Sequence, residues 1–84
     1  IAYEPLWAIG SGLIPTTTEL SEVIEFLRSN KSVSSVANNL RIVYGGSVNS
    51  SNAREILQIH GIDGLMIGSA ALKFEEVKLI LENT

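Results

Sequence analysis

Glu4 is a carboxylate set at the end of a hydrophobic run, in the stretch AYEPLWAIGSG, residues 2–12. Pro5 follows it and holds its backbone extended, while Leu6, Trp7 and Ile9 give it apolar neighbours. Desolvation by such neighbours raises a carboxylate's basicity toward the range a general base needs. Three glycine clusters accompany it: Gly10 and Gly12, Gly45 and Gly46, and Gly68. Glycine lets a main chain approach an anion closely, and the N–H groups of such turns attract phosphate. A single such cluster is more often plain turn geometry. Neither a GxGxxG nor a GxxxxGK[ST] pattern is present to favour a nucleotide.

The clusters gain weight from the elements that must position them. Each follows a strand-like run (IAYEPLWAIG, RIVYGGS, GLMIGSAAL), and each run is followed by a helical pattern. Thr16 and Glu19 have capping-box spacing, and Leu20, Val23, Ile24 and Leu27 recur with helical period, which predicts a helix over residues 17–30. The Ser- and Asn-rich segment 31–40 reads as a short helical turn and connection. A second helix is expected over Ser51–Ile59, with Ala53, Ile56 and Leu57 inward and Gly61 as its stop. A third starts near Phe74, with Phe74, Val77, Ile80 and Leu81 on one face.

Short apolar runs that do not alternate cleanly suit parallel strands covered on both faces, so the order βαβαβα predicts an α/β fold. Three such units do not close. A three-stranded parallel sheet keeps two edges of unpaired N–H and C=O groups, and the expectation is that further strands complete it. In open α/β sheets and in barrels, active sites form at the carboxyl ends of the strands, where all the glycine clusters fall.

Composition excludes several function classes. The chain has 84 residues, net charge −3 and 45% hydrophobic residues, the profile of a folded domain without a basic stripe for a phosphodiester backbone. No nucleic acid is expected as partner, and no apolar run approaches the roughly 20 residues of a membrane span. The chain lacks cysteine, so disulfides and thiolate metal sites are absent and an intracellular, cytoplasmic setting is the expectation. A chain of this size buries only about 60–65% of its unfolded surface, and it begins at Ile1 inside a strand-like run. It reads as a piece of something longer.

AYEPLWAIGSG, YGGSV and DGLMIGSAAL together resemble the triosephosphate isomerase family, and specifically the last three βα units of its (β/α)8 barrel. The resemblance covers essentially the whole of residues 1–84, as one C-terminal portion of a single TIM barrel domain with strands 6 to 8 and their helices. It implies interconversion of dihydroxyacetone phosphate and glyceraldehyde 3-phosphate, with no cofactor and no metal. For that family the scheme of carboxylate base, neutral histidine electrophile and closing lid is already established. The resemblance assigns the base to Glu4 and the lid to Pro5–Pro15. It assigns phosphate donors to Gly10, Ser47, Gly68 and Ser69, and an apolar clamp on the carboxylate to Ile9 and Met66; Tyr44 matches a lid-latching hydroxyl, with a tyrosine packed at a strand end as the alternative. It implies a phosphorylated triose as substrate, the remainder of the barrel as partner, and a homodimer for the full protein.

The sequence departs from the family pattern at Ser11, Ser69, Met66 and the second lid hinge, Leu13-Ile14-Pro15. His60 does not match the family's catalytic histidine and reads as a charge-compatible group at a helix C-terminus. Asp63 reads as a turn residue, and Trp7 as packing under the lid. The family's lysine, asparagine and histidine belong to earlier strands, so this chain alone is expected to be inactive. The competing reading is a non-catalytic phosphate-binding module derived from the same barrel.

Overall fold

In the computed structural model, which describes residues 1–30 and 40–84, three short parallel strands lie in sequential order, β1 (Ala2–Tyr3), β2 (Val43–Gly45) and β3 (Gly64–Met66). Ala2 registers with Val43 and Tyr3 with Tyr44, while Val43, Tyr44 and Gly45 register with Gly64, Leu65 and Met66. The register puts the rings of Tyr3 and Tyr44 side by side, centroids 6.3 Å apart and tilted by 48°. The α/β order expected from the sequence is thus present, as are the two unpaired edges. Burial on both faces is confined to β2; β1 and β3, each lacking a neighbour on one side, are partly exposed.

Helix α1 spans Thr17–Ser29 and starts in the expected capping box: Glu19 N–H donates to Thr16 Oγ1 at 3.1 Å, and Thr16 N–H donates to Glu19 Oε2 at 3.2 Å. Leu20 and Ile24 are buried against the sheet, and Phe26 on the other side is exposed. The segment expected as a helical turn over 31–40 lies, but for Leu40, outside the described residues.

Helix α2 is shorter than expected, Ala53–Leu57 rather than 51–59. Its N-terminal residues are used by a turn. Asn49 Oδ1 accepts from Ser51 N–H and Oγ, and Asn52 Oδ1 accepts from Asn49 N–H at 2.9 Å. Side-chain acceptors of this kind compete with helical backbone bonding. Gly61 ends the segment with φ 95°, at a place where a Cβ would come within 2.8 Å of Ile24 Cγ2 and 2.9 Å of Arg28 Nε. Glycine is required there both for the backbone and for the space.

Helix α3 spans Phe74–Asn83, after a 3₁₀ turn over Ser69–Leu72. The expected inward face is corrected. Ile80 is buried at 3% exposure, but Phe74 and Leu81 are 77% and 71% exposed. An apolar stripe with helical period identifies a face that can be covered, and the described residues supply a cover for only part of it. The core is one cluster on the helical side of β2, built from Leu20, Ile24, Ile42, Tyr44, Val48, Ala53, Ile56, Ile59, Ile62 and Ile80.

Below the sheet, at the amino ends of the strands, Arg28 ties three segments together. Its Nε and Nη2 donate to Gly61 O, Nη1 donates to Leu40 O at 3.2 Å, and Nη2 meets Asp63 Oδ2 at 2.8 Å. Asp63 also accepts from Ile42 N–H at 2.8 Å. That main-chain bond first, and the Arg28 guanidinium after it, hold the Asp63 carboxyl below the usual carboxylate range. Asp63 does sit in the turn before a strand, as expected, and in addition it fixes the entry to β2.

Candidate active site

Above the carboxyl ends of the strands lies a cavity of about 410 Å³, lined by Glu4, Gly10, Ser47, Gly68 and Ser69 together with Ile9, Met66 and neighbouring backbone. All five residues singled out from the sequence are therefore brought together, from three separate stretches of chain. The reason is topological. In a parallel sheet every strand delivers its following turn to the same end, so residues distant in sequence converge there.

Glu4 sits just after β1, and its Oε1 lies 3.6 Å from where a Cβ on Gly45 would stand. The same Cβ would come within 3.3 Å of Met66 Cβ and 2.7 Å of Met66 Cε. A glycine at the end of β2 thus leaves the floor on which the carboxylate and Met66 both rest. The apolar enclosure expected for Glu4 is not realised. Glu4 is exposed, and Leu6, Trp7 and Ile9 are 85%, 53% and 50% exposed. Pro5 precedes the 3₁₀ turn Leu6–Ala8, in which Leu6 and Trp7 are exposed, so Trp7, expected to pack under the lid, is about half uncovered; Ile9, though half exposed, does line the cavity with Glu4 and Met66.

The loop after Glu4, expected to be a lid, is held at its root and tip by few contacts among the described residues. Ala8 N–H donates to Pro5 O at 2.9 Å, and Ala8 is fully buried. Gly46 carries φ 124°, and a Cβ on it would meet Ala8 Cβ at 2.9 Å, so the YGGS turn and the lid root touch through the absence of a side chain. Gly10 and Gly12 take φ 64° and 77° in open space, where glycine serves the left-handed backbone and not close packing.

Ser47 has a second task beyond the one inferred from the sequence. Its hydroxyl donates to Ala8 O and accepts from Gly12 N–H at 3.1 Å, joining both ends of the lid tip. Ser47 is also the single non-glycine with positive φ, 54°, among the described residues, a strained conformation of the kind that concentrates at working sites. Tyr44 is fully buried at the end of β2, its hydroxyl donating to Gly46 O at 3.0 Å, which accords with the reading of a packed tyrosine. Burial first, then Tyr3 and Glu4, raise the pKa of its phenol and keep it protonated.

The main-chain N–H groups of Gly10, Ser47, Gly68 and Ser69 donate to no acceptor among the described residues. Two of them stand at the start of the 3₁₀ turn Ser69–Leu72, where the first N–H groups have no partner within the turn. With the Ser47 hydroxyl engaged by the lid, its free donor is the main-chain amide. The cavity thus combines one carboxylate with unpaired main-chain donors, a combination able to accept a proton on one side and hold an anion on the other.

Two positioning groups escaped the sequence reading. Asn52, 8% exposed, donates from Nδ2 to Ser47 O at 2.9 Å and so holds the strained residue in place. Glu76 accepts from Ser50 N–H at 2.9 Å and from Ser50 Oγ at 3.0 Å, tying α3 to the turn after Ser47. The cluster SVNSSN signalled a turn by composition, but partners from α3 carry no local signal. His60 is exposed, away from this cavity, and caps no helix through a hydrogen bond among the described residues.

A parallel α/β chain with a carboxylate and open amides at its strand ends defines a class of enzyme-like barrel or open-sheet segment. Comparison with known proteins narrows it: the profile described as triosephosphate isomerase matches residues 1–84, and the chain belongs to the triosephosphate isomerase family. It is 45% identical over 86 residues to a triosephosphate isomerase of Amoebophilus asiaticus, with 99% of this chain and 34% of that protein covered. It is 44% identical over 85 residues to one of Orientia tsutsugamushi, covering 98% and 34%. Against a protein of Trypanosoma cruzi named triosephosphate isomerase, glycosomal, identity is 47% over 83 residues, covering 95% and 33%. The chain thus spans about a third of the length of these relatives.

Proposed function

We propose that this chain supplies the general base, the lid and the phosphate-binding turns of an enzyme that interconverts dihydroxyacetone phosphate and glyceraldehyde 3-phosphate. One observation carries this reading: the Glu4 carboxylate shares a single cavity with the unpaired amides of Gly10, Ser47, Gly68 and Ser69. The amides hold the phosphate, which fixes the triose so that two adjacent carbons lie against Glu4. Glu4 takes a proton from one of them, leaving an enediolate, and the resulting carboxylic acid returns the proton to the other. The hydroxyl proton of the first carbon passes to the former carbonyl oxygen of the second through a group outside this segment, so bond order shifts along the O–C–C–O unit and no atom is gained or lost.

The enediolate's charge needs a donor at the reacting oxygens, and no described residue lining the cavity carries a cationic or imidazole group there. Such electrostatic stabilisation commonly supplies about 3–4 kcal/mol per donor, so this segment acts with the remainder of the barrel and is inactive alone. A homodimer and a cytoplasmic location belong to the same reading; the glycosomal name of the Trypanosoma cruzi relative makes location a separate measurement. No described helix is long and apolar enough to cross a membrane.

The test is Glu4→Gln in the full-length protein carrying this segment. Isomerase kcat falls by roughly 10²–10⁴-fold, while phosphoglycolate still binds, because the amides are untouched. Phosphate binding without any isomerase activity in the parent protein would select the non-catalytic module instead.

A further inference from the structure

A second cavity, of about 340 Å³, shares Gly10, Ser47, Val48 and Ser69 with the first. Its outer wall is formed by Lys73 and Glu76. Lys73 is the one cationic residue among the described residues lining either cavity, whose acidic members are Glu4 and Glu76. It stands at the junction between the 3₁₀ turn and α3. Its N–H donates to Ala70 O at 3.2 Å, and its carbonyl accepts from Val77 N–H at 3.2 Å, so the root of the side chain is held on both sides.

Glu76, three residues on, is within helical reach of Lys73 but does not pair with it. Both of its carboxylate oxygens are taken by Ser50. Lys73 itself is exposed and belongs to no ion pair among the described residues. A lysine outside any ion pair among the described residues therefore lines the same cavity as Ser69 and Ser47, on a chain whose net charge is −3. A doubly charged phosphate approaching an acidic surface is repelled unless a local cation reverses the field at the point of entry.

We propose that Lys73 is an electrostatic guide for the phosphate dianion, drawing a triose phosphate along the second cavity to the amides of Gly10, Ser47 and Ser69, with Ser50 holding Glu76 out of a contact pair with its ammonium. This rests on the isomerase reading above. It adds a residue that acts through charge at a distance and makes no claim of contact with the reacting atoms.

The experiment is kcat/KM of the full-length protein carrying this segment, and of its Lys73→Gln and Lys73→Arg variants, from about 10 mM to about 0.3 M ionic strength. Glyceraldehyde 3-phosphate is compared with uncharged glyceraldehyde. Lys73→Gln is expected to lower kcat/KM for the phosphorylated substrate by about two- to fourfold at low salt, with the difference vanishing at high salt and kcat unchanged. Lys73→Arg keeps the parent value, and glyceraldehyde turnover is the same in all three. Ser50→Ala, which frees Glu76, moves kcat/KM in the direction of Lys73→Gln. An active parent whose salt dependence is unaltered by Lys73→Gln overturns the guide alone, as does a loss that persists at high salt or extends to glyceraldehyde. An inactive parent overturns the isomerase reading and this one with it.

Discussion

Ser47 has one hydroxyl proton, and it goes to the Ala8 carbonyl while the oxygen accepts the Gly12 amide. Removing that hydroxyl unfastens the lid tip at two points, each hydrogen bond contributing about 1 kcal/mol. Ser47→Ala should therefore speed hydrogen exchange at the Gly12 amide by about tenfold or more, since roughly 1.4 kcal/mol corresponds to a factor of ten. Tyr44→Phe should leave that exchange rate as it was and cost about 1–2 kcal/mol of stability, because the phenol's one partner is Gly46 O. An increase at Gly12 in the tyrosine variant would restore Tyr44 as the latch. At this scale the sequence disclosed which residues meet, Glu4 with Ser47 and Gly68, because strand ends deliver them together. It did not disclose which hydroxyl touches the lid. Tyr44 and Ser47 both had a donor in the right turn, and the choice depends on a side-chain direction that alternates along β2, Tyr44 facing the core and Ser47 lying beyond the strand's end.

The elements were legible in proportion to how local their determinants are. The capping box of α1 needs only Thr16 and Glu19, two positions three apart that bond to each other, and the helix begins where their spacing placed it. Thr16→Ala should lower stability by about 1 kcal/mol, read as a shift in the midpoint of thermal or urea unfolding. A shift well under 0.3 kcal/mol would mean that packing of Leu20 and Ile24, and not the cap, sets the start of α1. The ends of α2 were less legible, since Asn49 and Asn52 divert their residues into a turn that propensity alone reads as helix. The face of α3 was least legible. Its periodicity is genuine, yet which part of the stripe is covered depends on neighbours that the helix's own sequence does not encode.

For the molecule as a whole, the Arg28–Asp63 connection joins α1, the entry to β2 and the entry to β3 at the end of the sheet opposite the cavity. The folded-state pKa of Asp63 lies below its unfolded value. Its contribution is therefore complete above about pH 4 and is lost as pH falls through the depressed folded value. Asp63→Asn should weaken the protein at neutral pH and flatten the loss of stability as pH falls below about 4, measured by urea unfolding at each pH. An acid limb as steep as the parent's would place the responsible carboxylate elsewhere. Neither the cross-sheet arginine nor its partners were visible in the sequence, because Arg28 and Asp63 are separated by 35 positions.

The grip offered to an anion at the strand ends is made of peptide groups, and peptide groups are common to every residue type save one. Replacing Ser69 by glycine, alanine or threonine alters the ornament but keeps the donor, so the site can drift in spelling while its charge-binding shape persists. Proline alone deletes such a donor. Vulnerability at Gly68 and Ser69 is thus a matter of curvature and imino chemistry, whereas at Glu4 it is a matter of identity.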